Sequence, residues 1–359
     1  LTDVTLPEGI TVFEPYAFSG CSTLETLSLP GTLETIEEYA FSNCKWMKSL
    51  SLPAKVAVFG RNCLDGCSSL AHLEAAEGNA VFASENNVIY DKEKTRAIVA
   101  AQQVKGSLTL PDTLKTIGER AFYYCSSLAH VILPEGLTTI EADAFYGCTS
   151  LLEAVVPDSV QGLLESTFKN CEALKYARVG SGVTALDYTF TGCTALEEVK
   201  LGENVLDLGS ASFSSCVSLQ TINIPEGVKE LGWFLFCGCE KLEELEIPKS
   251  LEKIGFRSLQ DCDTLQSLTF YESLNYVDDI WYAMAYNDNL QYVFFRGPYV
   301  ELSDNVFEGM NAGFVVFYRP AYPEWTRYTK YPTVAVTDVM LSLKENLLAL
   351  DTTKIWLSD

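Results

Sequence analysis

LPDTLKTIGERAFYYCSSLAHVIL, residues 110–133, runs directly into LPEGLTTIEADAFYGCTSLLEAVV, residues 133–156, and an earlier copy, LPGTLETIEEYAFSNCKWMKSLSL, occupies residues 29–52. The shared unit is L-P-x-x-L-x-x-I-x-x-x-A-F-x-x-C-x-x-L-x-x-V-x-L. Its cysteines stand at 21, 44, 67, 125, 148, 171, 193, 216, 239 and 262, at intervals of 23 except for one of 22 and one of 58. After Cys262 the slot passes to Asn287, following a two-residue insertion near Asp278 to Tyr282, and then to Met310 on the 23-residue spacing. A unit this short cannot close a core alone. Each copy has to bury its Leu, Ile, Ala, Phe and Cys side chains against the copies on either side, which makes the chain a solenoid.

Within the unit, LETLSLP at residues 24–30 alternates with period two. Leu27 and Leu29 point inward and Thr26 and Ser28 outward, so this is a short strand that stacks in parallel with its equivalents. Proline then ends the strand, because it has no N–H to continue the ladder. Pro7, Pro30, Pro53, Pro111, Pro134, Pro157, Pro225 and Pro248 hold this place, with Gly180 and Gly202 replacing it in two units. On the return side L-x-x-I is a second short extended segment. A-F-x-x-C is a tight turn, helical or not, in which small Ala allows close approach, Phe fills the interior and Cys behaves as a small, easily buried hydrophobe.

The unit resembles the leucine-rich repeat of the BspA-like surface proteins, also described as the Treponema pallidum type, over residues 1–318. The resemblance implies a right-handed solenoid of about 12–13 coils, with a parallel β-sheet on the concave face and short strands, turns or helical turns on the convex face. It also accounts for the 58-residue interval, since such arrays carry an interrupting unit similar to S-x-D-G-V-L-Y-x-K-x-K-T-x-L. Here SENNVIYDKEKTRAI, residues 84–98, reads as a β-hairpin with Val88 to Tyr90 and Arg96 to Val99 as strands around DKEKT, within an insertion at about residues 79–101. Asn87 replaces the family's Gly, and Asn also tolerates positive φ. Residues 319–359 form a C-terminal cap and tail. Tyr322, Trp325 and Tyr328 would shield the last coil, and the alternation from Val334 to Leu357 is either an extension of the cap or the start of a truncated further module.

The formal net charge is −23, from 25 Lys and Arg against 48 Asp and Glu. Such a chain repels phosphate backbones and anionic headgroups, so nucleic acid and membrane-surface partners are not expected, and self-repulsion favours a monomer. No apolar run approaches the length of a membrane span, and no signal peptide is visible. The chain opens inside a repeat, so its N-terminus does not report localisation.

Twelve cysteines raise the question of disulfides or metal, but ten share one interior position, where a ladder of neighbours offers no unique pairing. Free buried thiols are expected. There is no C-x-x-C pair to start a zinc site. Cys63 takes the Ala slot of its unit, and Cys237, in an outward-facing turn, is the thiol expected to be most reactive. The two histidines, His72 and His130, occupy the same outward strand position in the units flanking the hairpin, roughly 10 Å apart with one strand between them. Nothing places a nucleophile beside either ring. Glu198, Glu244 and Glu246 project from the same sheet, as a solvated acidic face or as paired carboxylates. No nucleotide-binding motif occurs, and no cofactor is expected.

Outward strand positions become aromatic toward the C-terminus. Tyr292, Phe294 and Phe317 are candidate anchors for a partner, with Tyr176, Arg178, His72 and His130 as further candidate contacts. The other reading of the three aromatics is that the cap covers them. The resemblance implies a non-enzymatic binding or adhesion module, secreted or on a bacterial cell surface, that meets a host or microbial protein or glycan. A passive spacer or stalk is the alternative, and free thiols keep intracellular residence open.

Overall fold

The computed structural model describes residues 2–278 and 282–337. The chain is a parallel-strand solenoid of about 14 coils, slightly more than the repeat pattern suggests. The concave sheet is built from the strands Asp3–Thr5, Thr26–Ser28, Ser49–Leu52 and their successors, paired in parallel with a shift of one coil: Asp3 lies opposite Thr26, and Ser49 opposite His72. A second row of two-residue strands, among them Thr35–Ile36, Thr116–Ile117 and Thr139–Ile140, forms the return side. Leu27, Leu50 and Leu73 are buried while Thr26, Ser28 and His72 are exposed, as the alternation requires.

The A-F-x-x-C segment is not helical. It carries two left-handed residues four positions apart, such as Tyr39 and Asn43, Asp143 and Gly147, or Ser166 and Asn170. Most of these are not glycine, so the conformation costs energy locally and is held by what surrounds it. What holds it is a hydrogen-bond ladder between coils: the amides of Asp143, Phe145 and Gly147 donate to the carbonyls of Glu165, Thr167 and Lys169 at 3.1, 2.9 and 2.9 Å. Between these residues Phe122, Phe145, Phe168, Phe190, Phe213 and Phe236 stack into one column, with neighbouring ring centroids 5.0–5.8 Å apart and planes within 12°.

The cysteines do more than fill space. Eight thiols donate to the carbonyl of the Phe in the preceding coil, among them Cys44 to Phe18, Cys67 to Phe41, Cys148 to Phe122, Cys171 to Phe145 and Cys239 to Phe213 at 3.1–3.2 Å, whereas Cys63 donates to the Glu37 carbonyl at 3.0 Å and Cys125 to the Ala101 carbonyl at 3.6 Å. All twelve are free. Burial pushes the thiols up, Cys44 to about 11 and Cys148 and Cys193 to about 12, so they stay protonated.

The interrupting unit has three antiparallel strands rather than two: Phe82–Glu85, Val88–Asp91 and Arg96–Ala100. Asn86 and Asn87 are both left-handed, the requirement of the tight turn joining the first two strands. The first strand escaped the sequence reading because FASE has one apolar anchor, Phe82. Arg96–Ala100 joins the return row by pairing in parallel with Thr116–Ile117.

At the far end Thr333–Ala335 pairs with Val315–Tyr318 and extends the concave sheet by one strand. A 3-10 turn, Pro323–Arg327, seats Trp325 on Phe295 at 4.1 Å, and the indole donates to the Gly297 carbonyl at 3.1 Å. Most of the tail alternation, from residue 338 onward, lies outside the described residues, as do residues 279–281 at the two-residue insertion.

Candidate functional site

Outward residues of the concave sheet are positioned by the strand register, so each faces its equivalents one coil away. The sheet is not uniform. Among the described residues its strand pairing breaks at four places, among them the interrupting unit and EELEIP, residues 243–248, where Leu245 and Ile247 remain buried but no strand forms. Glu243, Glu244 and Glu246 are exposed there, and a row of like charges at neighbouring outward positions disfavours close pairing.

The break at the interrupting unit separates His72–Ala75 from Lys105–Thr109, which do not belong to one sheet. The two histidines therefore face the same side across an interrupted ladder, not across a continuous one. A cleft of about 620 Å³ occupies the break, and His72, Asn86, Gln103, Lys105 and Ser107, all exposed, line it. Asn87 anchors one wall by accepting from the Leu73 amide at 3.3 Å, and Gln103 anchors the other by donating to the Ser68 carbonyl at 2.6 Å. His130 lies beyond the opposite strand, paired with Ser107, and its Nδ1 stands 3.4 Å from Glu153 Oε1. The cleft offers imidazole, amide, hydroxyl and ammonium groups, the set that meets hydroxyl-rich or peptide ligands.

Tyr176 and Arg178 are half-buried and already engaged. Lys200 Nζ sits 5.7 Å from the Tyr176 ring centre and pairs with Glu198 at 3.0 Å, while Arg178 reaches Asp158 at 2.8 Å. These contacts order the two side chains on the surface and leave their outer faces accessible.

Tyr292, Phe294 and Phe317 are a correction to the expectation of exposed anchors. All three are buried, Phe294 completely, in a cluster with Val336 that is separate from the main core. The added strand Thr333–Ala335 places Val336 beside them, so the cap extends across the concave face as well as the coil end. Cys237 is a second correction. It is only partly accessible, and burial pushes its thiol up, whereas Cys21 is exposed.

Asn86, Gln103 and Lys105 had no sequence signal as contacts. Their convergence depends on how the interrupting unit docks. Among the described residues, no group of three or more His, Cys, Asp or Glu is arranged to hold a metal ion, and no helix is long and apolar enough to cross a membrane.

Comparison with solved structures gives the same architecture. A leucine-rich repeat protein from Bacteroides ovatus matches 94% of this chain and 84% of its own at 20% identity and a TM-score of 0.63. A leucine-rich repeat protein from Eubacterium ventriosum matches 79% and 82% at 20% identity, TM-score 0.55. The pneumococcal vaccine antigen PcpA matches 94% and 68% at 19% identity, TM-score 0.55. At these identities the likeness is one of fold. No curated protein sequence is significantly similar to the chain. The family model for the BspA type leucine rich repeat region matches in six copies over residues 1–105, 100–188 and 183–312, and the chain therefore belongs to the BspA type leucine-rich repeat family.

Proposed function

We propose that this chain is a non-enzymatic binding module of a bacterial cell surface or secreted protein, and that the cleft between His72–Ala75 and Lys105–Thr109 is where it takes hold of a protein or glycan. The observation that carries this reading is the cleft itself: polar side chains with different hydrogen-bonding abilities converge where a rigid sheet opens, with the walls fixed by Asn87 and Gln103. A preordered wall lowers the entropy cost of binding. Membership of a surface-protein repeat family and a structural likeness to a vaccine antigen support the location.

The test is a binding screen of the chain against immobilised matrix proteins, mucins and glycans beside a His72→Ala, Lys105→Glu variant. Both substituted positions are exposed, so the variant should fold with an unchanged circular dichroism spectrum. Binding that is specific to the parent supports the cleft. A ligand bound equally by both moves the site elsewhere on the sheet, and silence across the panel leaves the spacer as the better reading.

A further inference from the structure

Eight A-F turns between Tyr16 and Gly238 each donate three alternate backbone amides to carbonyls of the following coil. The turn at residues 62–66 is different. Among the described residues, the amides of Asn62, Leu64 and Gly66 meet neither a backbone carbonyl nor a side-chain acceptor. The cause is the interrupting unit, which passes from Arg96–Ala100 to Lys105–Thr109 without an A-F-x-x-C turn. Toward the following coil it donates from Ala100 N–H to the Ala121 carbonyl at 2.7 Å and from Gln102 Nε2 to the Tyr123 carbonyl at 3.2 Å, and toward the preceding coil from Gln103 N–H to the Leu70 carbonyl at 2.9 Å, but it offers no carbonyl to the amides of Asn62, Leu64 and Gly66.

A gap of about 420 Å³ results, on the turn side of the solenoid and distinct from the concave cleft. Phe59, Leu64, Ile98 and Val99 give it apolar surface. Three of the chain's eight arginines line it. Arg96 is held by Glu141 through bonds of 2.8 and 2.5 Å, and Arg120 crosses from the far side to Asp65 at 2.8 Å while also bonding Asp143 at 3.1 Å. A guanidinium has no acceptor, so neither arginine can satisfy the three amides. Arg61 is the most loosely held of the three: its side chain is 81% exposed and its ion pair with Glu119 is long, at 3.9 Å.

We propose that this gap binds a peptide segment of a partner protein in the A-F turn conformation, one that carries an acidic side chain near a small apolar one. Its carbonyl oxygens take the places that the next coil's carbonyls fill everywhere else, accepting from Asn62, Leu64 and Gly66. This applies the logic of strand addition, main-chain bonding at an open ladder, to a ladder of turns. The apolar side chain rests on Leu64 and Ile98, and the carboxylate pairs with Arg61. The chain's negative charge opposes acidic peptides at long range, and physiological salt screens that repulsion.

The probe is a fluorescein-labelled peptide EEYAFSN, the chain's own residues 37–43, which reproduces the missing turn with an acidic flank. In about 0.15 M salt it should bind with a Kd on the order of 100 μM by anisotropy, about tenfold more weakly to Arg61→Ala and not measurably to Ile98→Trp, which fills the gap. Amide hydrogen exchange is read in parallel: Asn62, Leu64 and Gly66 should exchange much faster than Tyr39, Phe41 and Asn43 and slow when peptide is added. Absence of binding at 1 mM peptide overturns the proposal, as does equal binding by parent and Arg61→Ala, whose exposed site keeps the test valid if Ile98→Trp misfolds. Protection of the three amides in the free protein also overturns it, because a second copy or another part of the chain would then already occupy the gap.

Discussion

Asn287 Nδ2 donates to the Leu259 carbonyl at 2.9 Å, in the place where Cys262 Sγ, one coil earlier, donates to the Phe236 carbonyl at 3.3 Å. The amide is a stronger donor than a thiol, and it also caps the Met284 carbonyl and accepts from the Cys262 amide. The slot therefore demands a compact side chain that donates toward the preceding coil, and cysteine is one solution.

Substitution at Cys171 tests this. Cys171→Ala removes the donor to the Phe145 carbonyl and about one heavy atom of packing, and should destabilise by about 1–3 kcal/mol. Cys171→Ser keeps a donor and should lose less. Urea unfolding followed by circular dichroism compares the two, and equal losses would mean that the hydrogen bond contributes nothing.

Thiol chemistry should follow burial. Ten cysteines are buried, Cys237 is intermediate and Cys21 is exposed. An aromatic disulfide reagent at neutral pH should titrate Cys21 first, Cys237 slowly, and the rest only on unfolding. Mass mapping of the first labelled residue gives the order, and early labelling of Cys148 or Cys171 would contradict it.

Alkali should unfold the solenoid. A thiol whose folded value lies above its unfolded value stabilises the fold fully below the unfolded value and loses that contribution as pH rises through the folded one. For Cys44, Cys148 and Cys193 burial sets the window between 9.0 and about 11 to 12. Thermal stability should be flat in pH below about 9 on this account and fall steeply above it. Replacing Cys148 and Cys193 with serine should flatten the alkaline limb.

Phe168 sits in the middle of the aromatic column, 5.3 Å from Phe145 and 5.6 Å from Phe190. Phe168→Ala should cost about 3–5 kcal/mol. Because each coil is stabilised by its neighbours, the loss should split unfolding into two transitions. Calorimetry showing one unbroken transition would argue for cooperativity longer than the nearest coil.

Val336→Asp should open the second apolar cluster. It places a charge against Tyr292, Phe294 and Phe317, which are buried, and should raise binding of a hydrophobic dye and lower the melting temperature. Unchanged dye binding would show that the aromatics are held by other contacts.

The coil length, the inward set of Leu27, Phe122 and Cys148, and the position of the interruption were all legible in the repeat. They depend on a periodic pattern in which each unit meets a near-copy of itself, so one unit's sequence contains both sides of the contact. The turn conformation was not legible: Tyr39, Asp143 and Ser166 adopt a left-handed geometry that their side chains do not favour, and the ladder to the next coil imposes it. The candidate contacts divided in the same way. His72 and Arg178 lie on the surface where alternation places them, whereas Tyr292, Phe294 and Phe317 have the same alternation and are covered.

By itself, then, the sequence determined which residues repeat, which face the core and where the array is interrupted, because those are properties of one unit against its copy. Only the tertiary structure decided what happens where unlike segments meet. The strand after the last coil buries an aromatic patch, the interrupting unit opens a cleft on one face and leaves three amides unanswered on another, and Arg120 spans that gap to Asp65. These outcomes depend on distances between segments that share no pattern, and periodicity carries no information about such distances.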